Sequence, residues 1–114
     1  MNISESDKTW KIGSANVFAD LDMPDAQEKL VKAELAFKIN QLIKRRKLKQ
    51  INAAALLGVD QAKISLLNCG RLSSFSIERL VKYLVLLDQD VEIVIRKSRR
   101  KKNHQHGTLS VVYE

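Results

Sequence analysis

The segment Gln50 to Arg71, QINAAALLGVDQAKISLLNCGR, constrains this chain more than any other, and Gly58 is its pivot. Before the glycine, Ala53 and Ala54 sit midway along a short apolar run, where a second helix can approach closely. At Gly58 the backbone can turn left-handed without the steric cost a Cβ imposes. Two residues later Asp60 offers a carboxylate to the exposed N–H groups of a new helix, complementing its positive terminus. Ile64 and Leu67 give that helix an inward face at i, i+3 spacing. Gln61, Ala62, Lys63, Ser65, Leu66 and Asn68 are left facing outward. Two helices joined by a three- or four-residue turn containing glycine form a helix-turn-helix, which presents its second helix to the DNA major groove.

The rest of the composition agrees with a small helical domain. At 114 residues there is room for one core plus flanking segments. Aromatics make up only 5% of residues, so the core must rest on Leu, Ile, Val and Ala. The single Cys69 cannot make an internal disulfide, and neither a signal peptide nor an 18-residue apolar run appears. These features point to a reducing, cytoplasmic setting without a membrane span. Cys69 has no neighbouring His or acid in sequence and reads as a small packing residue.

Charge is divided unevenly along the chain. Residues 1–28 hold six acids and two bases, whereas residues 29–114 hold eighteen bases and seven acids. The basic body suits a polyanion; the acidic leader would repel one and calls for a different partner.

Three regions follow from these shifts. Residues 1–23 lack helical periodicity yet carry Trp10, Ile12, Val17, Phe18 and Leu21, too apolar for a plain solvated tail. Residues 24–96 form the folded body. Pro24 suits the first turn of a helix expected from about Asp25 to Arg46, with Leu30, Ala33, Phe37 and Leu35, Ile39, Leu42, Ile43 along an apolar face. Its last turn, Lys44-Arg45-Arg46-Lys47, places cations against the negative helix end or against phosphates. After the loop Gly70 to Phe75 a further helix opens near Ser76, lined by Ile77, Leu80, Val81, Leu84 and Leu87. The period then changes: Val91, Ile93 and Ile95 alternate as in one short strand, which needs a partner for its backbone. The candidates are the leader, the C-terminal SVVY or the same strand of a second copy, and the last suits a two-fold reader of DNA. Residues 97–114 form a basic tail, the run Arg96 to Lys102 holding six bases in seven positions. Overall the pattern is mainly α, a small four- or five-helix bundle with a short C-terminal β-strand.

The base contacts expected of the second motif helix follow from side-chain chemistry. Gln61 can pair with adenine N6 and N7, Ala62 and Leu66 can meet a thymine methyl, Lys63 can reach guanine or phosphate, and Ser65 can serve any base. Gln50, Asn68, Arg71 and Ser73 are placed to hold the phosphate backbone, fixing register without reading sequence.

Gln50 to Arg71 resembles the helix-turn-helix of the Xre/Cro-repressor family, with Gln50, Ala54, Gly58, Val59, Ile64, Leu67 and Gly70 at its signature positions. The likeness extends over about residues 13–96, through GSANVFADLDMPDAQEKLVKAELAFKI and GRLSSFSIERLVKYLVLLDQDVEIVIR, which look like HigA-type antitoxins of bacterial toxin–antitoxin operons. It implies a lambda-repressor-like fold and repression of the protein's own operon as a homodimer, for which Val91, Ile93 and Ile95 of the alternating segment are the candidate contacts. It also implies a small basic RelE-like messenger-RNA-cleaving toxin as partner, bound by Trp10, Val17, Phe18, Asp20 and Leu21 of the leader. Lys49 and Asn52 depart from the family pattern, and Lys49 offers no side-chain acceptor to cap the first motif helix.

Three other classes compete with this reading. A stand-alone Xre-type regulator without a toxin uses the same DNA-binding module. An enzyme lacks paired carboxylates, metal-spaced His/Cys and a phosphate-cradling Gly loop; His104 and His106 alone make a weak metal signal. Non-specific RNA binding through the tail lacks an aromatic stacking platform. The expectation is therefore a non-enzymatic DNA binder with no cofactor, small-molecule substrate or membrane partner.

Overall fold

The computed structural model describes residues 25–98 and 107–114. Among these residues four helices follow in order: α1 (Asp25–Arg45), α2 (Gln50–Leu57), α3 (Gln61–Cys69) and α4 (Ile77–Leu86). Helix α1 packs along α4 and touches α3, while α2 packs on α3 and α4. Helices α2 and α3 are thus the two arms of a helix-turn-helix supported by α1 and α4. No described helix is long and apolar enough to cross a membrane.

Local chemistry explains where the helices start and stop. Asp60 accepts the Lys63 backbone N–H at 3.0 Å, and Ser76 accepts that of Arg79 at 3.0 Å, each satisfying a free first-turn donor. Lys49 stands at the N-cap of α2 and makes no side-chain capping bond, as its chemistry requires. All four helices end with a left-handed residue and a six-to-one backbone bond, as in Leu48 to Ile43, Val59 to Ala54, Arg71 to Leu66 and Gln89 to Leu84. Gly58 (φ 72°) fills that position after α2, but Lys47 (φ 57°) and Asp88 (φ 66°) fill it after α1 and α4.

A left-handed conformation costs a residue with a Cβ on the order of 1 kcal/mol. Lys47→Gly is therefore expected to raise stability by about 0.5–1 kcal/mol in urea denaturation, after allowance for glycine's looser unfolded chain. If Lys47 also meets a phosphate, the same variant binds DNA more weakly while being more stable. An unchanged or lower midpoint would show that this turn holds no relievable strain.

The core is a single aliphatic cluster with two aromatic rings. Val31, Leu35, Ala36, Ile39, Leu42 and Ile43 of α1 meet Ala53, Ala54 and Leu57, Ile64 and Leu67, and Ile77, Leu80, Tyr83, Leu84 and Leu87. Phe75, expected only as a loop residue, is 1% exposed and stands edge-on to Tyr83. The apolar face expected for α1 is corrected in one respect. Leu30, Ala33 and Phe37 lie on the opposite side from the core, with Leu30 60% and Phe37 66% exposed. One helix can turn only about a third of its surface toward a single core, and the Val31–Leu35–Ile39–Leu42 side takes it.

Two further expectations change. Among the described residues no strand forms: residues 91–98 adopt no regular secondary structure and face solvent, because no second strand lies beside them to complete a ladder. Cys69 is exposed rather than packed. The C-terminal SVVY is likewise unpaired, but residues 109–113 lie against α1. Leu109 and Val111 pack on the core, Gln27 donates to the Leu109 carbonyl at 3.2 Å, and the Tyr113 hydroxyl donates to the Glu34 carbonyl. The Lys38 ammonium sits 5.7 Å from the centre of the Tyr113 ring.

Partial burial, and secondarily the Glu34 carboxylate, raises the Tyr113 phenol above its ordinary pKa. The neutral phenol is the form this contact favours, so its contribution is complete below about pH 10 and lost as pH rises through the raised value. Tyr113→Phe is expected to speed amide exchange at 109–113 near neutral pH and to remove the alkaline release expected of the parent chain. Equal exchange in both chains at neutral pH would rule this latch out.

Candidate nucleic-acid interface

The exposed side of α3 carries Gln61, Ala62, Ser65 and Asn68, all solvent-facing, as a groove-reading surface requires. The other two outward candidates are set back. Leu66 is half-buried and packs partly on the core. Lys63 is half-buried with its ammonium 5.1 Å above the Phe75 ring, an attraction to the ring's negative face that holds the cation against the domain. Gln50, Arg71 and Ser73 are exposed at the first residue of α2 and in the loop after α3.

Electrostatics around this surface are one-sided. Between Lys38 and Arg71 the chain holds eight bases and a single acid, Asp60. That acid donates its charge to the N-terminus of α3, where it accepts the Lys63 N–H, so it is partly spent on the helix end. Of the four cations at the end of α1, Arg46 is occupied elsewhere: its guanidinium lies 2.7 Å from the Leu87 carbonyl and 3.0 Å from the Asp88 carboxylate. It thereby caps the end of α4. Lys44, Arg45 and Lys47 are exposed and remain available to phosphates.

Asn40 was not legible as a positioning residue. Its side-chain amide donates at 2.9 Å to the Leu67 carbonyl in the last turn of α3, tying the recognition helix to α1. An asparagine in a helix interior, beside Ile39 of the apolar face, is the only sequence signal for such a role. His104 and His106, and the leader residues Trp10, Val17, Phe18, Asp20 and Leu21, lie outside the described residues. Among the described residues no group of three or more His, Cys, Asp or Glu could hold a metal ion.

Comparison with known proteins agrees with this geometry. The family model described as a helix-turn-helix domain matches residues 17–96. A solved structure described as an XRE-family transcriptional regulator is 46% identical, with a TM-score of 0.72 over 80% of this chain and 100% of its own length. No curated protein matches the chain.

Proposed function

Because the chain belongs to the Xre family of helix-turn-helix DNA-binding transcriptional regulators, we propose that it represses its own operon as a homodimer and, through its acidic leader, neutralises a small basic RelE-like toxin. The observation that carries this reading is the division of charge. A helix-turn-helix with eight bases and one acid around its recognition helix attracts DNA, while residues 1–28 carry six acids and two bases beside large apolar side chains. An acidic, aromatic-anchored segment on a DNA binder fits a basic protein, steered by charge and held by apolar anchors.

The dimer part rests on residues 91–95. Val91, Ile93 and Ile95 are exposed, Ile95 to 85%, in a segment with no ladder partner among the described residues. Pairing this edge with its twin satisfies both sets of backbone groups and relates two recognition helices by a two-fold axis. On this reading Gln61, Ala62, Ser65 and Leu66, with Lys63 once freed from Phe75, read bases, and Gln50, Asn68, Arg71 and Ser73 hold phosphates.

The test is recovery of the tagged chain expressed from its native locus, with mass spectrometry of what stays bound. A small basic protein encoded in the adjoining reading frame, lost when residues 1–23 are deleted, is the expected result. Recovery of the homodimer alone would overturn the toxin-binding part and leave a stand-alone regulator.

A further inference from the structure

Helix α3 is held by contacts of two kinds. Ile64 and Leu67 are buried and press it into the core; such apolar contacts fix how close it lies but are non-directional. Near its start the Lys63 ammonium rests 5.1 Å from the centre of the Phe75 ring, a broad attraction carried by a long, flexible side chain. The Asp60 cap and the Gly70 turn bond the ends of the helix to itself. Asn40 is different. Its amide donates to the Leu67 carbonyl at 2.9 Å, and among the described residues this is the one hydrogen bond joining α3 to another helix.

The Leu67 carbonyl does not need that bond. It already accepts the Gly70 N–H at 3.2 Å, so it would stay satisfied without Asn40. Position 40 meanwhile carries two costs. Asparagine is a poorer helix former than leucine. Its Oδ1 is also buried with no hydrogen-bond partner among the described residues. A leucine beside the buried Ile39 would avoid both, so stability gives little reason for an asparagine at this place. Direction does.

On the reading that α3 enters the major groove, on which this depends, we infer that Asn40 is a positioning residue for base recognition. It fixes the roll and axial setting of α3, so that discrimination between DNA sequences, rather than affinity for DNA at large, depends on it. Gln61 lies six residues before Leu67, about 9 Å along the axis, and a swing of about 10° at the Leu67 end displaces it by roughly 1.6 Å. Hydrogen bonds hold only within a window of about half an ångström, so a shift of that size breaks a bidentate pair to a base. Phosphate contacts by lysine and arginine tolerate it, because attraction between charges falls off slowly with distance.

The probe is a pool of short synthetic duplexes with a random central sequence, from which the full-length parent chain selects its preferred site. Fluorescence anisotropy then gives affinities for the selected duplex and for a scrambled duplex of the same composition. Asn40→Leu is expected to melt like the parent by circular dichroism and to bind the scrambled duplex equally well. On the selected duplex it should lose about tenfold or more, within the roughly five- to 150-fold that one good base contact discriminates. If Asn40→Leu melts early, Asn40→Ala replaces it. A merely structural residue would weaken both duplexes alike or neither, and either result would overturn the inference. The decisive readout is coupling to Gln61. Gln61→Ala should cost affinity for the selected duplex in the parent but nothing further in Asn40→Leu, where Gln61 is already displaced. Additive losses would mean that Asn40 does not act through the start of α3. A parent that selects no sequence, or a Gln61→Ala without effect in the parent, would overturn the reading of α3 and the inference with it.

Discussion

Phe75→Ala is expected to destabilise the domain by about 3–5 kcal/mol, a large part of the roughly 5–15 kcal/mol that holds a domain of this size together. Phe75 is 1% exposed although it sits in the connection between α3 and α4. Its ring meets Tyr83 edge-on, with centroids 6.2 Å apart and planes at 79°. The same ring lies under Lys63 and anchors the loop, its N–H bonded to the Leu72 carbonyl at 3.0 Å. Truncation leaves a cavity between the recognition helix and α4 that neither can close without moving. Urea denaturation followed by circular dichroism measures the loss, and a change below about 1 kcal/mol would mean that the loop collapses into the space. Tyr83 provides the contrasting case. Its hydroxyl is buried with no hydrogen-bond partner among the described residues, and an unsatisfied buried hydroxyl is a cost. Tyr83→Phe keeps the edge-on ring contact and removes that cost, so the midpoint should stay level or rise, by up to about 1 kcal/mol. A clear loss of stability would indicate that the hydroxyl does find a partner.

The difference between these two rings and the motif around Gly58 separates what the chain declares locally from what it does not. Gly58, Asp60 and Ser76 act within three or four residues of themselves, through a left-handed turn and two side-chain caps, and each stands where its chemistry predicts. The same holds for the start of α3 at Gln61. Contacts that reach across the fold leave no such trace. Asn40 meets Leu67 twenty-seven residues on, and Arg46 meets Leu87 forty-one residues on; nothing adjacent to either residue announces its partner. Helix α1 is apolar on two sides, and periodicity alone cannot choose between them. The choice follows from where α4 and α3 lie, so Leu30, Ala33 and Phe37 were as plausible a core face as Val31 and Leu35. Residues 91–95 illustrate a third limit. Alternation suggests a strand, but a strand is a relation between two segments, and among the described residues none forms here. The candidate site falls between these cases: the exposure of Gln61, Ala62, Ser65 and Asn68 follows from helical spacing, whereas the retraction of Lys63 onto Phe75 depends on a loop ring seventy-five residues into the chain whose burial no pattern marks.

Affinity for operator DNA is expected to fall roughly a thousandfold or more between about 50 and 200 mM salt, if a dimer makes six to ten phosphate contacts. The density of base around the motif, with Asp60 the only acid between Lys38 and Arg71, makes release of condensed counterions the dominant source of binding free energy. Single substitutions then separate the two kinds of contact. Arg71 is exposed just beyond α3, and on the proposed reading it holds a phosphate. Arg71→Ala should weaken binding about equally on operator and unrelated DNA and lower the salt slope by about one per site. Gln61 opens the recognition helix and faces solvent. Gln61→Ala should leave the salt slope unchanged, cost about 1–3 kcal/mol per half-site on operator DNA only, and relax discrimination at a single base pair. Lys63 distinguishes a cation stored against the domain from one that reaches the groove. If it leaves Phe75 to bind DNA, Lys63→Met lowers the salt slope as Arg71→Ala does; if it stays, the slope is unchanged and only stability responds. Fluorescence anisotropy on a labelled operator, titrated at four or more salt concentrations, measures all of these slopes in one experiment. A salt-independent affinity, or a Gln61→Ala loss shared equally by unrelated DNA, would show that α3 does not enter the groove as its geometry indicates.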